Sequence, residues 1–459
     1  MPGKRRRALV ILTALCIWIF CTGAGDREEE PALLYEDGDV VGFIGDSITH
    51  VEYLPVSYVE LLDNYYLSHY PKRDIEFRNL GMAGYTVRDI LDIYDADPAF
   101  RGINKAVILL GMNDAMQKIP TEEYLTALEE LVNRLKEDGL SGEDILVLSP
   151  TPYDQTCGIN YDRNGFPYQT TDTGLQDFTE KLPDKTAEWG VAFADLHTPM
   201  RNLSIEIQEE NDRNTLTVGD CIHPALEGHW MIVYEILTAQ RALSRNDVME
   251  EKDGFYQGEK GMCWSWSPRT LPMEQDEGLE TLCSLFPTAG ALVWEEFRVE
   301  GLFREKSYTV AVDGTELGTY SGEELAEQID LAAAEENPLR DVMRQAAELN
   351  RERHHNAALY RAALCAAKAE NPDLSEERMR IRYTGWKTED NRLREEIRAL
   401  VTEAASRKYT VTVTEEGYPA KEMQEEARHF AEQAEKERAA REAAEQSVLW
   451  LKKKLFVLK

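Results

Sequence analysis

The sequence is short of several things, and each shortage excludes something. Basic residues are few: 51 Lys+Arg stand against 84 Asp+Glu, a formal charge of -33. A chain this acidic is a poor partner for a nucleic-acid backbone, which needs a clustered positive surface. It is equally poor at docking on anionic lipid. Cysteines number seven in 459 residues. None forms a CxxC pair, so structural zinc has no ligand set, and their scattered spacing is no disulfide framework. No D-x-D-x-D-G loop and no H-E-x-x-H pair is present, so no metal site is expected. Long apolar runs are missing after the first two dozen residues, so no later segment reads as a membrane span. What is present is ample core material, with 43% hydrophobic and 9% aromatic residues. A length of 459 residues predicts two or three domains at about 100–200 residues each.

The one apolar run sits at the start. Lys4, Arg5, Arg6 and Arg7 precede Ala8 to Phe20, and Thr22-Gly23-Ala24 follows with small residues. This is the pattern of a signal peptide, residues 1–24, which implies a secreted or periplasmic protein. An uncleaved membrane anchor is the alternative, disfavoured because the run falls short of the ~20 residues that a span requires. After cleavage no stable membrane insertion is expected. Five cysteines would then remain: Cys157, Cys221, Cys263, Cys283 and Cys365. A Cys263–Cys283 bridge is conceivable, free buried thiols equally so, and Cys221 reads as a packing residue.

After a linker at residues 25–38, residues 39–246 alternate between short aliphatic runs and amphipathic stretches. Val40–Ile44, Asp74–Asn79, Ala106–Leu110, Ile145–Leu148 and Val191–Ala194 read as buried strands. Helices are expected at 54–70, 86–94, 121–138 and 174–189, and from Pro224 onward. Five strands interleaved with helices give a three-layer α/β/α domain around a five-stranded parallel sheet. In such sheets ligands bind beyond the carboxyl ends of the strands.

Four polar blocks lie at those ends or in the late loop. They are Gly45-Asp46-Ser47, Asn79-Leu80-Gly81, Gly111-Met112-Asn113-Asp114 and Asp220-Cys221-Ile222-His223-Pro224. Together they supply a hydroxyl, an imidazole with a carboxylate three residues before it, and candidate oxyanion donors. Those are the parts of an acyl-transfer site. A lone Gly-Asp-Ser is weak, and Ser47 alone would pass for a helix N-cap. Four blocks in this order are a strong signal.

The set resembles the SGNH hydrolases, or GDSL-type esterases, over about residues 39–243, somewhat under half of the chain. The Gly-x-Ser-x-Gly elbow of ordinary α/β-hydrolases is absent around Ser47. The resemblance implies Ser47 as nucleophile, His223 as general base and Asp220 as the carboxylate that orients it. It implies an oxyanion hole of the Ser47 and Gly81 backbone N–H groups and the Asn113 side chain. Asp46 and Asp114 are read as braces of their loops, and Met82 and Met112 as acyl-pocket or core residues. His50, His197 and His229 have no comparable partner set. No cofactor is implied. The activity implied is hydrolysis of carboxylic esters, with acetyl esters on carbohydrate as the substrate class preferred by analogy. Lipid-directed esterase, lysophospholipase or thioesterase activity is one alternative. A catalytically silent glycan-binding protein is another.

The rest of the chain reads as an α+β accessory region. A small β-rich unit is expected at 254–320, with Trp264, Trp266 and Trp294 either stacking on sugars or forming its core. Asp313-Gly314 marks a hairpin. Ser321-Gly322-Glu323-Glu324 fits a capping box that opens a mainly helical region, 321–459. Within it, Lys408–Thr414 alternates like one more strand and Ala420–Lys459 reads as a long helix.

Overall fold

The structure is a computed structural model. It describes residues 33–457 except 52, 155–167, 212–214, 244–245, 248–252, 294 and 371–375. The leader at 1–24, Cys157 and Trp294 lie outside the described residues.

The first part of the chain runs β1 (Val40–Gly45), α1 (Ser47–His50), α2 (Tyr58–His69), β2 (Glu76–Asn79), α3 (Val87–Tyr94), β3 (Lys105–Leu109), α4 (Met112–Met116), α5 (Thr121–Glu137), β4 (Ile145–Leu148), α6 (Tyr168–Trp189), β5 (Ala192–Ala194), α7 (His197–Glu210) and α8 (Leu226–Ala239). The strands form one parallel sheet in the order β2-β1-β3-β4-β5. Every residue of β2 and β4 is buried, which is why these segments read as continuous apolar or mixed runs without alternation. Helices α3, α5 and α6 pack together, as do α2 and α8, completing the three layers. Helix α3 opens on a capping box, in which Thr86 and Asp89 exchange hydrogen bonds. The last helix begins at Leu226, two residues later than expected, because Pro224 is held in a bridge with Thr217.

Residues 33–38 are no free linker. Tyr35 is buried, its ring 5.1 Å from that of Tyr66, and Arg73 donates to its carbonyl.

The remaining elements are β6 (Asn246–Asp247), β7 (Asp253–Gln257), β8 (Gly261–Trp266), α9 (Glu277–Leu285), β9 (Glu295–Phe297), β10 (Ser307–Val312), β11 (Thr315–Ser321), α10 (Gly322–Glu327), β12 (Ile329–Asp330), α11 (Pro338–Glu370), α12 (Glu376–Ser406), β13 (Tyr409–Glu415) and α13 (Ala420–Val457). They build a second five-stranded sheet, β11-β10-β13-β8-β7, and a small one, β12-β9-β6. The hairpin and the Ser321–Glu324 capping box are both where the sequence places them. The expected division at residue 320 is not observed. Strand β13 lies between β10 and β8, so the β unit takes its central strand from the region read as helical. Residues 33–459 form one compact unit. Trp264 and Trp266 are buried, and Trp264 lies 6.3 Å from Phe297, so these rings are core and offer no face to a sugar. Cys263 and Cys283 are free thiols, not a bridge. No described helix is long and apolar enough to cross a membrane.

Helix α11 is built into the first part. Arg353 is 3% exposed and binds Asp63 of α2, Asp390 of α12 and the Phe77 carbonyl of β2. Its neighbour His354 also reaches Asp63, at 2.9 Å. About two turns later Arg361, equally buried, pairs with Asp97 and donates to the carbonyls of Leu80 and Gly81.

Candidate active site

Strand β1 ends at Gly45, where a Cβ would come within 2.0 Å of Thr49 Oγ1 and 2.9 Å of the Leu109 carbonyl. Only glycine lets the chain turn there with α1 folded back on the strand. Asp46 caps that single turn by accepting from the Ile48 N–H at 2.9 Å. Ser47 is thereby the first residue of α1, directly beyond the sheet's carboxyl edge, and is half-buried. Burial pushes the Asp46 carboxyl up to about 6, against the pull of the Ile48 N–H. Asp114 accepts from the Val87 N–H at 3.3 Å and is pushed up to about 7, by burial first, with Asp46 adding to it. Both acids brace their loops through these backbone hydrogen bonds.

The Asp220–His223 loop is tight. Thr217 bridges Pro224, and Gly219 and Cys221 take positive φ of 90° and 73°. Asp220 Oδ1 accepts from the backbone N–H groups of Ile222 and His223, at 3.0 and 2.9 Å. Its Oδ2 lies 2.5 Å from His223 Nδ1, and His223 Nε2 lies 2.8 Å from Ser47 Oγ. Burial alone would raise the Asp220 carboxyl, but the hydrogen bonds from the His223 ring and the two backbone N–H groups hold it below its ordinary value. It is thus ionised near neutrality, which fixes Nδ1 as the protonated nitrogen and leaves Nε2 to accept from the serine hydroxyl. Ser47, His223 and Asp220 are brought into one hydrogen-bonded line across 176 residues of sequence.

Asn113 lies in α4 just beyond β3, and its Nδ2 donates to the Tyr85 carbonyl at 3.0 Å, leaving the second amide hydrogen. Gly81 does not have the geometry expected of it. Its N–H is taken by Asn79 Oδ1 at 2.9 Å, and a Cβ there would come within 2.3 Å of the His50 nitrogen. Gly81 is a packing glycine that seats its loop against α1. Three residues on, Gly84 is exposed at φ 81°, one residue before the carbonyl that holds Asn113.

Other expectations shift as well. Met82 and Met112 are fully buried, which makes them core rather than pocket walls. Cys221 is disulfide-bonded, not merely packed. His229 accepts from the Tyr58 N–H and meets the Tyr53 hydroxyl at 2.9 Å. His50 meets the Ala358 carbonyl at 3.0 Å. His197 is buried, and burial lowers it to about 4. Sequence reasoning passed over Tyr53, whose ring centre stands 4.5 Å from that of His223. It passed over Arg361 too, because nothing local marks one arginine among many on a charged helix. Among the described residues no cluster of side chains has the composition of a metal site.

Residues 43–231 match the model of the GDSL-like Lipase/Acylhydrolase family. A search of curated proteins finds no match. Among solved structures, the chain is similar to a gut microbial diltiazem-metabolizing enzyme, with a TM-score of 0.68 and 19% identity, over 83% of this chain and 98% of that one. A lipase/acylhydrolase from Enterococcus faecalis aligns at TM-score 0.35 and 19% identity, over 44% of this chain and 96% of that one. An acetylxylan esterase from Geobacillus stearothermophilus aligns at TM-score 0.34 and 21% identity, over 45% of this chain and 95% of that one. The first likeness is one of fold, and it extends well past the residues that the family model matches.

Proposed function

We propose that this chain, a GDSL-type serine ester hydrolase over residues 43–231, removes acetyl groups from carbohydrate outside the cytoplasm. The observation that carries the chemistry is the line Ser47 Oγ–His223 Nε2 and His223 Nδ1–Asp220 Oδ2, at 2.8 and 2.5 Å.

Ser47 Oγ attacks the ester carbonyl while Nε2 takes its proton, and Asp220 stabilises the resulting imidazolium. The carbonyl oxygen becomes an oxyanion facing the Ser47 N–H and the free Asn113 amide hydrogen. With the Gly81 N–H already engaged, Gly84 is the glycine of its loop placed to donate the third hydrogen bond. Collapse breaks the bond to the alcohol, which leaves with the proton from Nε2. Water then repeats the sequence on the acyl-Ser47 ester and releases the acid. Asn113→Ala should lower kcat by about 10²–10³ with KM little changed, because the lost donor acts on charge that develops only in the transition state. A raised KM with kcat unchanged would mean that Asn113 binds substrate instead.

Two features support the substrate and location. The basic-then-apolar leader of residues 1–24 supports export. The charge of -33 disfavours approach to anionic lipid and leaves a neutral acetylated glycan unopposed. The test is a series of acyl esters of increasing chain length beside an acetylated polysaccharide. Activity concentrated on acetyl esters is the expected result. A preference for long acyl chains would overturn the carbohydrate reading in favour of a lipid-directed esterase.

A further inference from the structure

The space between the two parts of the chain is a cavity of about 740 Å³, in the size range of small-ligand sites. One wall is the segment leading from α1 into α2, including Tyr53, Ser57 and Glu60. The other is the face of α11 that carries Arg351, His355 and Leu359. The cavity starts beside the catalytic line. His50, the last residue of the turn that Ser47 begins, lines it, about 5 Å along the helix axis from the serine. Tyr53 lines it too, and its ring flanks His223 at 4.5 Å between ring centres.

Glu60 is the unexpected group. Ser57-Tyr58-Val59-Glu60 has the spacing of a capping box, and Ser57 does accept from the Glu60 N–H at 3.3 Å. The return bond from the carboxylate to the Ser57 N–H is not made. The Glu60 side chain is instead 2% exposed, lines the cavity, and leaves Oε1 without a hydrogen-bond partner. The nearest cation, Arg351 Nε, stands 3.6 Å from that oxygen, beyond hydrogen-bond reach. Burial pushes the carboxyl up to about 8, with Arg351 pulling the other way. A buried, unbonded polar atom in a native structure calls for a partner.

We propose that this cavity is the subsite for the alcohol part of the ester, and that it takes a neutral, polyhydroxylated group whose hydroxyl bonds Glu60. The charges favour neutrality. Arg351 opposes a cation at Glu60, and Glu60 opposes an anion at Arg351. An acceptor and a donor side by side suit a hydroxyl, which is both. The apolar part of the walls, from Val51, Leu54, Pro55, Val56 and Ala358 with the 55% exposed Leu359, suits the C–H faces of a sugar ring. The appended helix α11 thereby becomes part of the specificity of the hydrolase. This inference rests on the carbohydrate reading above.

The test compares kcat/KM on glucose 6-acetate, whose alcohol part keeps its other hydroxyls, with kcat/KM on 4-nitrophenyl acetate, in the wild-type protein, Glu60→Gln and Leu359→Trp. Glu60→Gln keeps the shape of the side chain, and Leu359→Trp fills the cavity from an exposed position that folding does not depend on. The ratio of sugar ester to 4-nitrophenyl ester should fall about tenfold in each variant, the size expected for a lost buried hydrogen bond or a blocked site. A ratio that changes less than about threefold in either variant overturns the subsite. If the wild type still favours the sugar ester in that case, the carbohydrate reading stands without it. A wild type that does not favour the sugar ester overturns both.

Discussion

Ser47→Ala should lower kcat by about 10⁶ and leave the protein folded, because removing the nucleophile of such a constellation costs about as much as removing the whole of it. Asp220→Asn should cost about 10⁴ by a different route. The Asn side chain still offers an oxygen to the backbone N–H groups of Ile222 and His223, which Asp220 now bonds at 3.0 and 2.9 Å. What it lacks is the charge that holds the His223 proton on Nδ1. The imidazole then has no reason to keep Nε2 free for Ser47. The two variants together should cost little more than Ser47→Ala alone, since they disable one unit. The check is steady-state kinetics on an acetyl ester beside a thermal melt. A Ser47→Ala protein within about tenfold of wild type would show that another group carries the acyl transfer.

Arg353→Ala should destabilise the fold by about 3–5 kcal/mol, the usual cost of stripping the partner from a buried charge. Its loss leaves Asp63 and Asp390 buried, with a carbonyl of Phe77 unpaired. Burial would raise both acids, but Arg353 holds each below its ordinary value, helped by His354 at Asp63 and Lys387 at Asp390. A depressed carboxylate stabilises the fold above its unfolded pKa of about 4, and that contribution is lost as pH falls through the folded value. The wild type should therefore lose stability below about pH 4, and the variant should show less of that loss. Denaturant midpoints from pH 7 down to 3 measure both effects. Arg392→Ala is the control: its pairs with Glu389 and Glu396 are half-exposed on α12, and its midpoint should match wild type. If the Arg353 variant also matches wild type, the network between α11 and α2 carries no stability.

Both predictions mark what the sequence made legible. The parallel sheet could be read because its strands are buried on two faces and stand as unbroken apolar runs. Ser47, Asn113, Asp220 and His223 could be read because each sits in a short block at a strand end or in a loop that must place it. Gly81 and Gly84 could not be told apart, since the choice depends on where the Asn79 side chain turns. Arg353, Arg361 and Glu60 were invisible for a related reason. On an isolated helix they are charged residues among many, and only the packing of α11 against α2 and β2 buries them. The division at residue 320 failed because strand pairing across 140 residues leaves no local mark.

Strand β13 adds a constraint on how the chain is made. Its partners β8 and β10 end at Trp266 and Val312, yet β13 arrives only at Tyr409–Glu415. While the stretch from Val312 to Tyr409 is being made, the chain carries two strands with no neighbour on their facing edges, and unpaired edges invite other chains. The second sheet can close only when nearly all of the protein exists, after α11 and α12 have already been made. A copy truncated before Tyr409 would lose more than a tail: it would expose the middle of a sheet.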